Sequence, residues 1–228
     1  MYNLYNRDAI KLLEKIENES IDLILTDPPY ESLEKHRKVG TTTRLKQSLG
    51  SSNEWFPIIK NESFKDILLH LYRVLKKNSH MYIFCDNETM FIIKPIAEQI
   101  GFKFWKPIIW DKVRIGMGYH YRARYENILF FEKGKRKLND LSIPDILEVP
   151  RINGGYPTEK PVELCEKLIL QSSSHNQIIF DPFMGSGSTG VAAIKNNRKF
   201  IGNDIKKNAV KLAKNRLNLI LEEDLSSE

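Results

Sequence analysis

The sequence predicts an α/β fold, with an open, mostly parallel sheet of seven strands and helices on both faces. Short apolar runs alternate with amphipathic stretches along the chain, the pattern of a parallel sheet covered on both sides. Two of the runs, IDLILT and IIF, lead straight into loops rich in proline or glycine. One neighbouring pair of runs has no helix-length apolar pattern between them, so one strand is expected to be antiparallel.

The strands are expected at Tyr2–Tyr5, Ile21–Thr26, Met81–Cys85, Phe102–Trp110, Asn127–Phe131, Ile178–Phe180 and Phe200–Asn203, the fourth and fifth forming the antiparallel pair. Helix Ala9–Glu17 follows the first strand, with Asp8 placed to cap it. Phe64, Ile67, Leu68, Leu71, Val74 and Leu75 recur at three and four residues and define a helix over Ser63–Lys76. Glu88–Ile100 is the next, kinked at Pro95 and closed by Gly101. Pro161–Leu170, with a proline suited to a first turn, Thr189–Asn196 and Lys206–Leu221 complete the set. The polar tail Glu222–Glu228 is expected to fray.

A length of 228 residues suits one elaborated domain, 1–228. No apolar run approaches the roughly 18 residues that cross a bilayer, and the N-terminus lacks a signal peptide's apolar stretch. Cys85 and Cys165 lie far apart and the five histidines are scattered, so neither a disulfide framework nor a metal site is expected and a reducing cytoplasm fits. The net charge of +6 is compatible with a polyanionic partner without requiring one. Its distribution says more. Lys35–Lys46 carries Arg37, Lys38 and Arg44, and Lys112–Arg124 interleaves Lys112, Arg114, Arg122 and Arg124 with Tyr119 and Tyr121, both read as loops.

Asp27-Pro28-Pro29-Tyr30 follows strand IDLILT at its carboxyl end, where open α/β sheets bind ligands. A carboxylate and a proline-held carbonyl are fixed acceptors, and the tyrosine offers a stacking face. An aromatic amine is a poor nucleophile because its lone pair is delocalised. Two acceptors on its hydrogens would draw the nitrogen towards tetrahedral geometry and free that pair. A proline-stiffened turn is the structural alternative.

The run from Ile178 to Gly190 is again a strand, a glycine-rich loop and a helix start, with Gly185, Gly187 and Gly190 spaced as GxGxxG. That spacing also fits a dinucleotide, but Asp181 would repel a pyrophosphate. A cationic ligand removes the conflict, and S-adenosylmethionine carries an ammonium and a sulfonium. Asp204, ending strand KFIGND, stands where an acid grips ribose hydroxyls, although it could simply cap the next helix. Asp8 serves equally as helix cap or ligand contact. Neither cysteine follows a proline, against the thiolate chemistry of carbon-5 methylation, and both read as core residues.

Taken together, the chain resembles the amino-directed (adenine N6 or cytosine N4) DNA methyltransferases of bacteria and phages, in the permuted beta class whose catalytic motif precedes the cofactor loop. TDPPY (Thr26–Tyr30) matches the catalytic motif and DPFMGSGST (Asp181–Thr189) the cofactor loop. Asp8-Ala9, Asp204 and Pro157–Pro161 match the weaker elements. The resemblance implies a Rossmann-like S-adenosylmethionine-dependent methyltransferase fold, with the first strand at one edge and the antiparallel fifth inserted near the other. It implies catalysis by Asp27, Pro28, Pro29 and Tyr30, with Tyr30 stacked on a flipped-out base. It assigns the cofactor to Asp8, Ala9, Thr158, Lys160, Asp181, Pro182, Phe183, Gly185, Ser186, Gly187, Ser188 and Asp204. DPPY favours adenine, with cytosine N4 as runner-up. Double-stranded DNA is the implied partner, held through loops 31–60 and 111–156, which are short for a target-recognition region. A cognate restriction endonuclease and a monomer or homodimer fit the same picture. Competing classes are a dinucleotide oxidoreductase, an inactive nucleic-acid-binding relative, and a relative acting on RNA or protein glutamine.

Overall fold

In the computed structural model the described residues are 1–32, 57–116, 120–152, 156 and 158–226. The strands are β1 Tyr2–Tyr5, β2 Ile21–Thr26, β3 Leu75–Cys85, β4 Lys103–Asp111, β5 Tyr125–Lys133, β6 Ile146–Glu148, β7 Ile178–Asp181 and β8 Lys199–Asn203. They form one sheet in the order β1-β8-β7-β2-β3-β5-β4-β6. The expected α/β architecture is present, with β1 at one edge and β5 antiparallel to both β3 and β4. The strand count is corrected from seven to eight. β6 pairs parallel with β4 at the far edge, and its three residues bury only Leu147, too short a signal to read from periodicity.

The helices are α1 Ala9–Leu13, α2 Phe64–Val74, α3 Asn87–Ile100, α4 Val162–Ser172, α5 Ser188–Lys195 and α6 Lys207–Ser226. Alternating residues of each inner strand face opposite cores. Leu23, Leu25, Tyr82, Phe84, Ile128, Phe130 and Ile179 pack with α4, α5 and α6. Ile24, Met81, Ile83, Leu129, Phe131 and Phe180 pack with α1, α2 and α3. β2 is buried along its whole length, as a central strand covered on both faces must be.

Several boundaries differ from expectation. α1 stops at Leu13 rather than Glu17, where Arg73 of α2 donates to the carbonyls of Leu13 (2.6 Å) and Ile16 (2.8 Å) and so satisfies the groups a longer helix would have bonded. α2 ends at Val74 because Leu75 turns extended, and Lys133 of β5 donates to the carbonyls of Tyr72 and Leu75. β3 therefore starts well before Met81, with extra residues near Asn78 (φ 61°) absorbed as a bulge against β2. Pro161 occupies the cap position of α4 instead of its first turn. α6 runs on into the segment expected to fray.

Candidate active site

The carboxyl ends of β2, β3, β4, β7 and β8 share one edge of the sheet. There a cavity of about 840 Å³ opens. All four proposed catalytic residues line it, as do Asp8, Ala9, Thr158, Lys160, Asp181, Pro182, Phe183, Gly185, Ser186, Ser188 and Asp204. Two motifs remote in sequence thus meet because β2 and β7 are hydrogen-bonded neighbours.

Gly187 is not part of the wall. It sits in the left-handed region (φ 82°, ψ 22°) at the start of α5, and a Cβ there would lie 2.7 Å from Ala213 Cβ. Gly190 brings α5 onto β8, with no room for a Cβ beside the Phe200 ring. The Asp204 carboxylate accepts from the amides of Gly185 (3.1 Å) and Lys206 (2.7 Å), and burial raises its pKa. It is both a cap and a wall of the cavity. Asp8 likewise caps α1, accepting from the Lys11 amide at 3.1 Å. Asn203 ties the β1–α1 turn to the loop, donating to the carbonyls of Arg7 and Pro182.

Asp181 is buried and accepts from Thr26 Oγ1 (2.8 Å) and the Phe183 amide (3.1 Å). Burial pushes its pKa up to about 7 in spite of those donors. Such a carboxyl disfavours a phosphate and suits a cation. The cavity, the close-approach glycines and the two acids therefore fit S-adenosylmethionine.

At Asp27 the geometry holds something the sequence did not announce. Lys160 places its ammonium 2.5 Å from Asp27 Oδ2 and 3.1 Å from Glu126 Oε1, while Lys112 reaches Glu126 Oε2 at 2.8 Å. Lys160, expected beside the cofactor, and Lys112, expected on DNA, thus join one chain of alternating charge. Burial raises the Asp27 pKa to about 6 against the pull of Lys160. Burial opposes the Lys160 ammonium too, yet Asp27 and Glu126 hold its pKa above the usual lysine value. Glu126, the second residue of β5, was missed because an isolated glutamate at a strand start carries no motif. Arg216 of α6 was missed for the same reason, although its Nη1 donates to the Ser186 carbonyl (2.9 Å) and pairs with Glu159 (2.9 Å).

The Pro29 carbonyl accepts from the Ile59 amide at 2.7 Å, which pins the turn. Among the described residues none donates to the Pro28 carbonyl. Tyr30 is buried and is one of the residues that line the cavity. Both cysteines are buried, and burial pushes the Cys165 thiol up to about 12, in keeping with core roles. Among the described residues no cluster could hold a metal ion.

The described parts of the basic segment after β4, 112–116 and 120–124, extend the β4–β5 pairing at this same edge, through Lys112 N–H to the Arg124 carbonyl and Gly116 N–H to the Ala123 carbonyl. Arg114 is exposed. Arg122 donates to the Gly116 carbonyl (2.7 Å), and Arg124 pairs with Asp111 (2.6 Å), holding that carboxyl below its usual range. Arg37, Lys38, Arg44, Tyr119 and Pro157 lie outside the described residues. None of the described helices is long and apolar enough to cross a membrane.

Comparison with known proteins agrees with the geometry. A family model described as DNA methylase, of the N6/N4 type, matches residues 21–215. The Type II methyltransferase M.HpaI of Haemophilus parainfluenzae is 32% identical, over 92% of this chain and 72% of its own length. The Type II methyltransferase M2.LlaDCHI of Lactococcus lactis subsp. cremoris is 31% identical, over 94% and 88%. The crystal structure of an M1.HpyAVI–SAM complex superposes with a TM-score of 0.71 at 27% identity, covering 95% of this chain and all of that one. The PvuII cytosine-N4-specific DNA methyltransferase shares the fold, with a TM-score of 0.73 at 18% identity over 94% and 86% of the two chains. With a strand-end DPPY facing a glycine loop built for a cationic ligand, and relatives alike over nearly all its length, the chain belongs to the N6/N4 DNA methylase family and is an S-adenosylmethionine-dependent DNA methyltransferase.

Proposed function

We propose that this enzyme methylates the exocyclic N6 amine of adenine in a specific sequence of double-stranded DNA, on a base turned out of the stack into the cavity. The observation that carries the reading is the pairing of two acceptors at one strand end, the Asp27 carboxylate and a Pro28 carbonyl to which no described residue donates. S-adenosylmethionine, when bound, supplies an electrophilic methyl group on a sulfonium. Asp27 and Pro28 accept from the two amine hydrogens and stabilise positive charge as it develops on nitrogen. Pro29 fixes the turn, and Tyr30 presents its ring to the base.

On the cofactor side, Asp204 takes the ribose hydroxyls, Asp8 and Ala9 the adenine, and Asp181, Pro182, Phe183, Gly185, Ser186, Ser188 and Thr158 the methionine end. Gly187 shapes the loop. The order of the motifs is that of the permuted beta class, carried on one domain spanning 1–228. The segment after β4 is the proposed DNA contact, with Arg114 the least encumbered of the described candidates, and the loop 31–60, most of which lies outside the described residues, is the second. Cytoplasmic action beside a cognate restriction endonuclease, as monomer or homodimer, completes the reading. The adenine-specific reading is supported by the DPPY form of the motif and by the name of one relative, the DNA adenine methyltransferase YhdJ of Escherichia coli, 29% identical over 93% of this chain and 81% of its own.

The test is single-turnover transfer of labelled methyl to duplex DNA by wild type and Asp27→Ala, followed by nucleoside analysis. A loss of at least about 10²-fold in the transfer rate, with cofactor affinity kept, is expected. N4-methylcytosine as the product would overturn the choice of base, and near-wild-type transfer by Asp27→Ala would overturn the role of DPPY.

A further inference from the structure

We infer that Lys160 and Glu126 are positioning residues that act on the reaction through Asp27, Lys160 by holding its carboxylate ionised and Glu126 by restraining how strongly Lys160 and Lys112 do so. The inference rests on the proposed role of Asp27. Its basis is a chain of four side chains in the cavity wall, Lys112–Glu126–Lys160–Asp27, with contacts of 2.8, 3.1 and 2.5 Å. The members come from four separate parts of the fold: the end of β4, the start of β5, the segment before α4 and the end of β2. Lys160 is mostly enclosed, its side chain 11% exposed, and its ammonium also lies over the Phe84 ring at 5.0 Å. A cation so enclosed needs its two carboxylates, and each carboxylate needs it.

The chemistry explains why such a device belongs here. Asp27 helps the amine most as an anion, because a protonated carboxyl keeps a carbonyl acceptor but has lost the charge that meets developing positive charge. Burial works towards protonation, and Lys160 and Lys112 oppose it while Glu126 adds to it. The neighbouring thiols and hydroxyl add no charge. Burial keeps the thiols of Cys85 and Cys165 and the Tyr30 hydroxyl protonated. Asp181, across Thr26, is raised to about 7 by burial and carries charge above that pH, a contribution present alike in wild type and in the Lys160 and Glu126 variants. The ionisation of Asp27 therefore hangs on the balance between Lys160 and Glu126, and the two should act with opposite sign.

The experiment is the pH profile of single-turnover methyl transfer to duplex DNA, with cofactor affinity measured at each pH, for wild type, Lys160→Met, Lys160→Arg, Glu126→Gln, Asp27→Ala and Asp27→Asn. Removing Lys160 should move the acid limb to higher pH by about 1–3 units, with the rate recovering towards wild type on the alkaline side. Glu126→Gln should move it to lower pH, and Lys160→Arg should leave it near wild type. Limbs that stay put, or that move the same way in Lys160→Met and Glu126→Gln, overturn the inference. So does a loss of cofactor affinity in Lys160→Met with its limb unmoved, which would make Lys160 a cofactor ligand. If Lys160→Met does not fold, Glu126→Gln decides alone, since an unmoved or raised limb is incompatible with the proposed balance. Asp27→Ala and Asp27→Asn separate the levels: near-wild-type transfer by Asp27→Ala would overturn the role of Asp27 itself, undiminished transfer by Asp27→Asn, which keeps an acceptor but no charge, would overturn the inference that its ionisation matters, and inactivity of both beside unmoved limbs would overturn only the action of Lys160 and Glu126.

Discussion

Replacing Gly187 by alanine tests whether the cofactor loop is shaped by backbone geometry and not by side-chain contacts. Gly187 holds φ 82° and ψ 22°, and a left-handed non-glycine residue costs about 1–2 kcal/mol. The added Cβ would also lie 2.7 Å from Ala213 Cβ and 3.1 Å from Ala213 Cα, on a helix residue that is fully buried. Overpacking of this kind costs about 1–3 kcal/mol. Together the two effects predict a loss of about 2–5 kcal/mol, read by urea unfolding of the apoprotein as a lower midpoint at unchanged slope. Ala213→Gly in the same background should return the steric share but not the backbone share. A double-mutant cycle should therefore show a favourable coupling of about 1–3 kcal/mol, the single Ala213→Gly change costing about 0.5–1 kcal/mol in the helix interior. A Gly187→Ala protein within about 0.5 kcal/mol of wild type, and equal to it in cofactor affinity, would refute the reasoning.

Asp204→Asn removes a charged acceptor from the cavity wall and should weaken cofactor binding by roughly 1.5–3 kcal/mol, about ten- to a hundredfold by calorimetry, with the circular dichroism unchanged. Arg114→Ala should lower DNA affinity almost equally for all sequences and reduce the salt slope by about one, whereas Arg124→Ala, whose guanidinium is already held by Asp111, should change the slope less. The Asp181 carboxyl, raised from 3.8 to about 7, binds more protons in the folded than in the unfolded chain between those values, so this group's contribution to stability falls as pH rises through that window. Asp181→Asn should flatten that fall in urea titrations across pH. A cation bound beside Asp181 favours its ionised form, so cofactor binding near pH 6 should release protons, measured from the dependence of calorimetric heat on buffer, and the release should shrink in Asp181→Asn.

The legible parts of the site are those whose chemistry demands particular residues at consecutive positions. Asp27–Tyr30 must place an acid, two stiff carbonyls and a ring within one turn, and Asp181–Thr189 must bend sharply while leaving the backbone open, so both leave a written pattern. The architecture was legible for a similar reason, because strands buried on both faces read as dense apolar runs. β6 escaped because three edge residues with one buried side chain bear no period. Helix ends were misjudged where a distant side chain, Arg73 or Lys133, satisfied the terminal carbonyls. Lys160 was visible as a residue of the Pro157–Pro161 segment, but its partner was not, since an ammonium on a long stem can turn to either side of the cavity.

The residues that escaped share an origin in topology. In a wholly parallel sheet, only residues that follow a strand reach the ligand edge. β5 runs the other way between β3 and β4, with Asn127 opposite Cys85 and Glu126 opposite Trp110, so it delivers its first residues to that edge instead of its last. Glu126 arrives at the site by that reversal alone. The expected antiparallel pairing of the fourth and fifth strands puts the start of the fifth at the ligand edge, and the structure adds that Glu126, one residue before the expected strand Asn127–Phe131, meets Lys160 and through it Asp27. The same reversal carries the basic segment after β4 to the mouth of the site. One inverted strand thus places the cations suited to a polyanion next to the chain of buried charges behind Asp27.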